Sequence, residues 1–182
     1  MEKSQSIKIV FMGTPEFGAV VLEGLIKGGF PPVLVITETD KPAGREQTLI
    51  SPPVKVIAQK YNIPVLQPEK IQATRYKLQD TKPDLIVVAA YGQILPKEIL
   101  EIAKYGCLNV HPSLLPKYRG PSPIQYAILN GETETGATIM LVDEGIDTGP
   151  ILSQKKTGIG PNETFQELHD RLAILGSELL TD

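Results

Sequence analysis

The chain has 182 residues, 41% hydrophobic and 21% charged, with 16 Gly and 16 Pro, a composition that suits one globular domain and excludes intrinsic disorder and collagen-like repeats. Its 18 Lys and Arg against 21 Asp and Glu give a formal net charge of −3, so no global positive field draws in nucleic acid and any RNA contact must be local. The longest apolar runs, such as residues 85–90, are far short of the roughly 20 residues of a membrane span, the polar start at residues 1–6 lacks a signal-peptide apolar stretch, and the lone Cys107 excludes an intrachain disulfide or a multi-Cys zinc site. Residues 7–12 form a short, mostly apolar strand signal ending at Gly13, and Pro15 sits where the first turn of a helix tolerates it, before a segment that stops at Gly28 and Gly29. Residues 33–37 repeat the strand signal, and a polar stretch over 38–49 reads as a long loop. Ser51 as N-cap, followed by Pro52 and Pro53, opens a helix running to about Tyr61.

A further helix is expected over 70–79, followed by the continuous apolar run 84–90, which has the character of a central parallel strand covered on both faces. Residues 107–110 make another strand, in which Cys107 is expected to be a buried, unreactive thiol. Ser122 and Pro123 open a helix that stops near Asn130 and Gly131. Residues 138–142 and 150–154 flank a turn-rich connection and predict a late antiparallel hairpin. Phe165, Leu168, Leu172, Leu175 and Leu179 recur at helical spacing behind Asn162 as N-cap, so the chain ends on an amphipathic helix. The alternation predicts a Rossmann-like α/β domain over 1–182, an open, mainly parallel sheet with helices on both faces, in which ligands bind outside the carboxyl ends of the strands.

The turn after the first strand is no nucleotide motif. A dinucleotide fingerprint needs Gly where Pro15 stands, and a phosphate loop of the Walker type needs Lys then Ser or Thr where Ala19 and Val20 stand. Gly13 by itself reads as a tight turn into a helix. More informative is the segment from Asn109 to Pro116, because strand alternation puts Asn109 and His111 on one face at a carboxyl end. An amide donor beside an imidazole supplies what acyl transfer needs, a group to stabilise an oxyanion and a group to move a proton. Asp147, in a Gly-flanked loop between two strands, can be projected toward the same cleft, where a carboxylate orients an imidazole and favours its charge. The bland readings are a structural His before Pro112 and a solvated acidic turn made of Asp143, Glu144 and Asp147. Ser113 follows Pro112 rather than occupying a nucleophile elbow, and His169 reads as a surface or half-buried residue of the last helix.

With these residues in view, the chain resembles the 10-formyltetrahydrofolate-dependent formyltransferases over nearly its whole length. The group-wide elements are Asn109, the block His111 to Pro116, and the run Asp143 to Ile151. Phe11 to Phe17, Ala90 to Pro96, Arg119 with Gly120, and Pro123 to Gln125 point to the methionyl-tRNA branch rather than to the glycinamide ribonucleotide branch. The resemblance implies Asn109, His111 and Asp147 as catalytic trio, Ser113, Leu114, Leu115 and Pro116 as formyl-folate loop, and a loop at 40–45, with Lys41 and Arg45, that contacts the tRNA acceptor stem. Glu46, Gln47 and Thr48 stand where members commonly carry Gly and lysines, and Thr39 where Pro is usual, so weaker and less salt-dependent tRNA binding is expected.

Members continue into a basic β-barrel that also holds tRNA, so this chain is expected to be a catalytic fragment or impaired in tRNA binding. The implied reaction moves the formyl group from N10 of tetrahydrofolate to the neutral α-amine of initiator methionyl-tRNA. The oxyanion would lie near Asn109 and His111, and Asp147 and an ordered water would carry the proton. A cytoplasmic monomer that requires no metal and no nicotinamide is expected. The alternatives are formyl transfer to a small amine (glycinamide ribonucleotide or an amino-sugar nucleotide), formyl-folate hydrolysis, and a folate-binding module without turnover.

Overall fold

A computed structural model describes residues 7–44 and 47–182. The polar start at 1–6 and Arg45, the expected tRNA contact, with its neighbour Glu46, lie outside the described residues. Strands β1 (Ile9–Gly13), β2 (Leu34–Ile36), β5 (Val65–Leu66), β6 (Leu85–Ala89), β7 (Cys107–His111), β8 (Glu134–Leu141) and β9 (Ile151–Gly158) form one sheet in the order β5-β2-β1-β6-β7-β8-β9. The first five are mutually parallel, whereas β8 runs antiparallel to β7 and β9 antiparallel to β8. This is the expected open, mainly parallel sheet with a late hairpin.

Strand alternation sorts the sheet residues onto two cores. Ile9, Phe11, Val35, Val87, Ala89 and Val110 face α1 (Glu16–Lys27), α2 (Pro53–Lys60) and α6 (Phe165–Thr181), with Ile124 of α5 (Pro123–Leu129) in the same cluster. Val10, Met12, Ile36, Ile86, Val88 and Cys107 face a 3-10 turn (Ile71–Thr74), α3 (Arg75–Thr81) and α4 (Lys97–Leu100). Being apolar on both sides is what makes 85–89 a near-continuous apolar run. Cys107 is buried, and burial pushes its thiol up to about 12, so it packs as a small hydrophobe.

Several elements differ from the sequence expectation. The stretch 38–49 is not wholly a loop. It carries a separate antiparallel ribbon, β3 (Lys41–Ala43) with β4 (Thr48–Ile50), in which Lys41 pairs with Ile50. The helix expected over 70–79 begins as the 3-10 turn, and β5 and α4 are too short to have left a periodic signal. The hairpin strands β8 and β9 are each eight residues long, longer than expected. Pro52, not Ser51, holds the N-cap position of α2, without a side-chain cap.

The last helix is capped by Thr164 instead of Asn162. Thr164 Oγ1 accepts from the Glu167 amide while the Thr164 amide donates to Glu167 Oε2, the reciprocal pair that Thr followed by Glu three residues later allows. Thr164→Ala is expected to cost about 1 kcal/mol of stability, read as a lower melting temperature. An unchanged melting temperature would show that packing alone fixes this helix end. Among the described residues no helix is long and apolar enough to cross a membrane.

Candidate active site

In an open parallel sheet the crevice lies where successive connections leave a central strand in opposite directions, at the carboxyl ends. Here β1 is that strand, with β2 on one side and β6 on the other. The turn after β1 is tied to the segment after β6: the Thr14 amide donates to the Ala90 carbonyl (3.1 Å) and the Thr14 hydroxyl to the Tyr91 carbonyl (2.8 Å). A cleft of about 620 Å³ opens beside this junction and reaches across the end of β7. A second cleft, about 610 Å³, lies near Asp84 at the amino end of β6 and is lined by charges of both signs, among them Arg75, Lys82 and Glu98.

Asn109, His111 and Asp147 all line the first cleft. Asn109 and His111 share the face of β7 that also carries Cys107, as alternation requires. Asp147 joins them from the β8–β9 connection with its backbone in the left-handed region (φ 51°). Asn109 Nδ2 donates to Asp147 Oδ1 at 3.3 Å, and Asp147 Oδ2 stands 3.5 Å from His111 Nδ1. That second distance is an electrostatic contact rather than a good hydrogen bond.

One short loop holds both acid and imidazole. His111 Nε2 donates to the Tyr118 carbonyl at 2.9 Å, Arg119 Nε donates to the Asp147 carbonyl at 2.9 Å, and the Gly120 amide donates to Asp147 Oδ2 at 2.8 Å. Gly120 adopts φ 93°, which a side chain would strain, and this conformation turns its N–H to the carboxylate. The acceptor at Nε2 fixes the proton there, so a neutral ring would present a bare lone pair at Nδ1 toward Asp147. Only the imidazolium donates to both oxygens. His111 is 4% exposed, and only its Nδ1 edge is left to serve a reaction.

The remaining walls come from two loops and three helix starts. On the α3 and α4 face lie Ala90 (φ 50°), Tyr91, Gly92 and Leu95, with Val142 to Ile146 opposite them. Gly92 (φ 94°) packs so closely on Glu38 that a Cβ would come within 2.7 Å of the carboxylate, which joins this loop to the root of the β3–β4 ribbon. Tyr91 is buried, and burial, reinforced by the Glu38 charge, pushes its phenol up to about 12. Gln93 pins the loop from outside, accepting from the Ile71 amide at 2.9 Å. On the other face Phe17, Phe165 and His169 form an aromatic wall, with the His169 ring 5.8 Å from Phe17 and 5.6 Å from Phe165. The half-buried His169 thus shares the cleft with the trio, a placement that the four-residue step from Phe165 could have signalled.

Ser113, Leu114, Leu115 and Pro116 follow directly on Pro112, which lines the cleft, and are not themselves among its lining residues. Ser113 is fully buried and donates to the Lys117 carbonyl at 2.7 Å, and the Leu115 amide donates to Thr138 Oγ1 at 3.2 Å. These residues brace the loop that holds His111 and Asp147. Lys41 is exposed on β3 and pairs with Glu38 at 2.5 Å, whose other face meets Gly92.

A formyl transferase family model matches residues 7–182. The chain is 51% identical over 178 residues to a methionyl-tRNA formyltransferase of Geobacter metallireducens, which spans 97% of this chain and 57% of the relative. It is 54% identical over 176 residues to the enzyme of that name from Syntrophus aciditrophicus, covering 96% of this chain and 56% of the relative. The chain therefore spans a little over half the length of these curated relatives. Among solved structures, a phosphoribosylglycinamide formyltransferase from Bacillus halodurans superposes with TM-score 0.78 at 25% identity, covering 96% of this chain and 91% of that one. A sugar 3N-formyl transferase studied in the presence of dTDP and 5-N-formyl-THF gives TM-score 0.67 at 25% identity, covering 97% of this chain and 61% of that one.

Proposed function

The chain belongs to the formyl transferase family, and on that premise we propose that it moves the formyl group of 10-formyltetrahydrofolate to the α-amine of methionyl-tRNA. The observation that carries the chemistry is the Asn109, His111 and Asp147 cluster at the mouth of the cleft. The choice of acceptor is supported by identities of 51% and 54% to methionyl-tRNA formyltransferases, against 25% for the structure that acts on a small ribonucleotide. A second reading, transfer to a small amine, is favoured by the backbone likeness to that structure.

The cleft suits a flat heterocyclic donor. Val88, Leu95, Met140 and Val142 give apolar walls, the peptide groups of 90–95 and 142–147 give a polar rim, and the volume is within the range of small-molecule sites. Donor contact is therefore assigned to these two loops, with 113–116 bracing the neighbouring loop through Lys117. Bound there, the donor supplies an acyl carbon whose nitrogen substituent leaves once it is protonated.

The residues then divide the work. One Asn109 Nδ2 hydrogen is held by Asp147, and the second is directed to the formyl oxygen as charge builds on it. His111 faces that oxygen with its Nδ1 edge, the part of the ring not taken up by the Tyr118 carbonyl. Asp147 receives the proton of the attacking amine through a water and passes it toward the leaving nitrogen. The acceptor amine lies on the side of Phe17, Phe165 and His169, and Lys41 approaches the nucleic acid from the β3–β4 ribbon.

The test is transfer of labelled formyl from 10-formyltetrahydrofolate to initiator methionyl-tRNA, with free methionine, small amines and water competing. Product on methionyl-tRNA is expected. Product only on a small amine or on water would reject the tRNA acceptor, and donor binding without product would leave a folate-binding module.

A further inference from the structure

The carbonyl that accepts from His111 belongs to Tyr118, which is itself held at φ 57°. A bulky residue in the left-handed region costs free energy and persists only where its surroundings enforce it. Here the enforcement comes from the far end of the side chain. The Tyr118 hydroxyl donates to Glu132 Oε1 at 2.7 Å and accepts from Asn130 Nδ2 at 3.1 Å. Lys117 Nζ reaches the same Glu132 carboxylate at 3.2 Å. Glu132 is fixed in turn by the end of α5, where its amide donates to the Ala127 carbonyl at 3.0 Å. The Tyr118 hydroxyl, followed by Lys117, holds the Glu132 carboxyl below the usual carboxylate range, as a charge-assisted bond does.

The three consecutive residues 118, 119 and 120 supply, in order, the acceptor for His111, the donor to the Asp147 carbonyl and the donor to the Asp147 carboxylate. A rotation of the Tyr118 backbone therefore moves all three contacts together. We propose that Tyr118 is the positioning residue of the catalytic pair His111 and Asp147, with Glu132 as its anchor on the side of the loop away from the cleft. The proposal rests on the formyl-transfer reading for its consequence on turnover, and on the loop geometry for its consequence on the His111 ring.

Tyr118→Phe removes the anchor and keeps the ring. It is expected to lower kcat about tenfold while the KM for donor and acceptor stay within about twofold, since misplaced groups cost rate rather than binding. Glu132→Gln should do the same, and the double variant should be no slower than either single one, because both remove one interaction. The chain has two histidines, so the His111 Nε2–H signal can be followed by NMR against a His169 variant. It is expected to be slowly exchanging in the wild type and to exchange faster in Tyr118→Phe. Full turnover with an unchanged His111 signal, whatever the melting temperature, would overturn the proposal, as would losses that multiply in the double variant. If the wild type itself transfers no formyl group to any acceptor, the functional reading fails, and the His111 signal still decides the anchor.

Discussion

Asp147→Asn is expected to lower turnover by about 10³-fold, with donor affinity changed far less, because the role proposed for the carboxylate is proton movement and the substitution keeps its size. Two groups donate to the Asp147 carboxylate, Asn109 Nδ2 at Oδ1 and the Gly120 amide at Oδ2, with His111 Nδ1 3.5 Å from Oδ2. An amide in its place must put an NH₂ where one oxygen stood. Whichever way it is turned, donor faces donor, so either Asn109 loses its orientation or the Gly120 loop does. The negative charge 3.5 Å from His111 Nδ1 is lost in the same step. Single-turnover transfer and equilibrium donor binding, measured together, check this. Wild-type turnover would remove Asp147 from the chemistry, and an equal loss in both would make it a structural residue.

Asn109→Ala should cost about 10²–10³ in turnover, or roughly 2.7–4 kcal/mol of transition-state stabilisation, the loss that follows removal of one oxyanion donor. The side chain sits on β7, whose register is set by pairing with β6 on one side and β8 on the other, with Asn109 opposite Val88 and Met140. A truncation at this position therefore has little means of shifting the strand, and the loss should fall on kcat. A rise in KM at constant kcat would show instead that Asn109 binds ground state and transition state alike.

Much of this site was legible in the residues. The alternation in 107–111 put Asn109 and His111 on one face, and the structure keeps both on the cleft. The turn-rich run 143–149 predicted a connection between two antiparallel strands, and that connection carries Asp147. What escaped reading was carried by the backbone. The grip of 118–120 on the trio uses a carbonyl and an amide as well as one guanidinium, and peptide groups have no residue signature. The expectation of a ligand loop over 113–116 came from the family resemblance alone, and Ser113 spends its hydroxyl on a neighbouring carbonyl. The cap of the last helix was misplaced by two residues because Asn162 and Thr164 are both good caps. Only Thr164 has Glu three residues on. The β3–β4 ribbon was hidden by its brevity, since each strand has three residues and Thr48, Leu49 and Ile50 are all exposed, which leaves no apolar alternation.

The strand order also dictates when in the life of the chain the cleft residues of β7 become ordered. Ile9 at the start of β1 pairs with Leu85, so one flank of the first strand waits for a segment far along the chain. β7 gains its second neighbour only when Met140 comes opposite Asn109, and Val110 on the same strand is covered by the cluster that includes Leu168, Leu172 and Ala173 of the final helix. Non-local pairings of this kind close slowly, and they leave apolar strands such as Leu85–Ala89 uncovered meanwhile. On a ribosome, the amino-terminal half thus emerges as a sheet with an open, sticky flank, and the Asn109, His111 and Asp147 cluster is assembled only once β8 and α6 have docked.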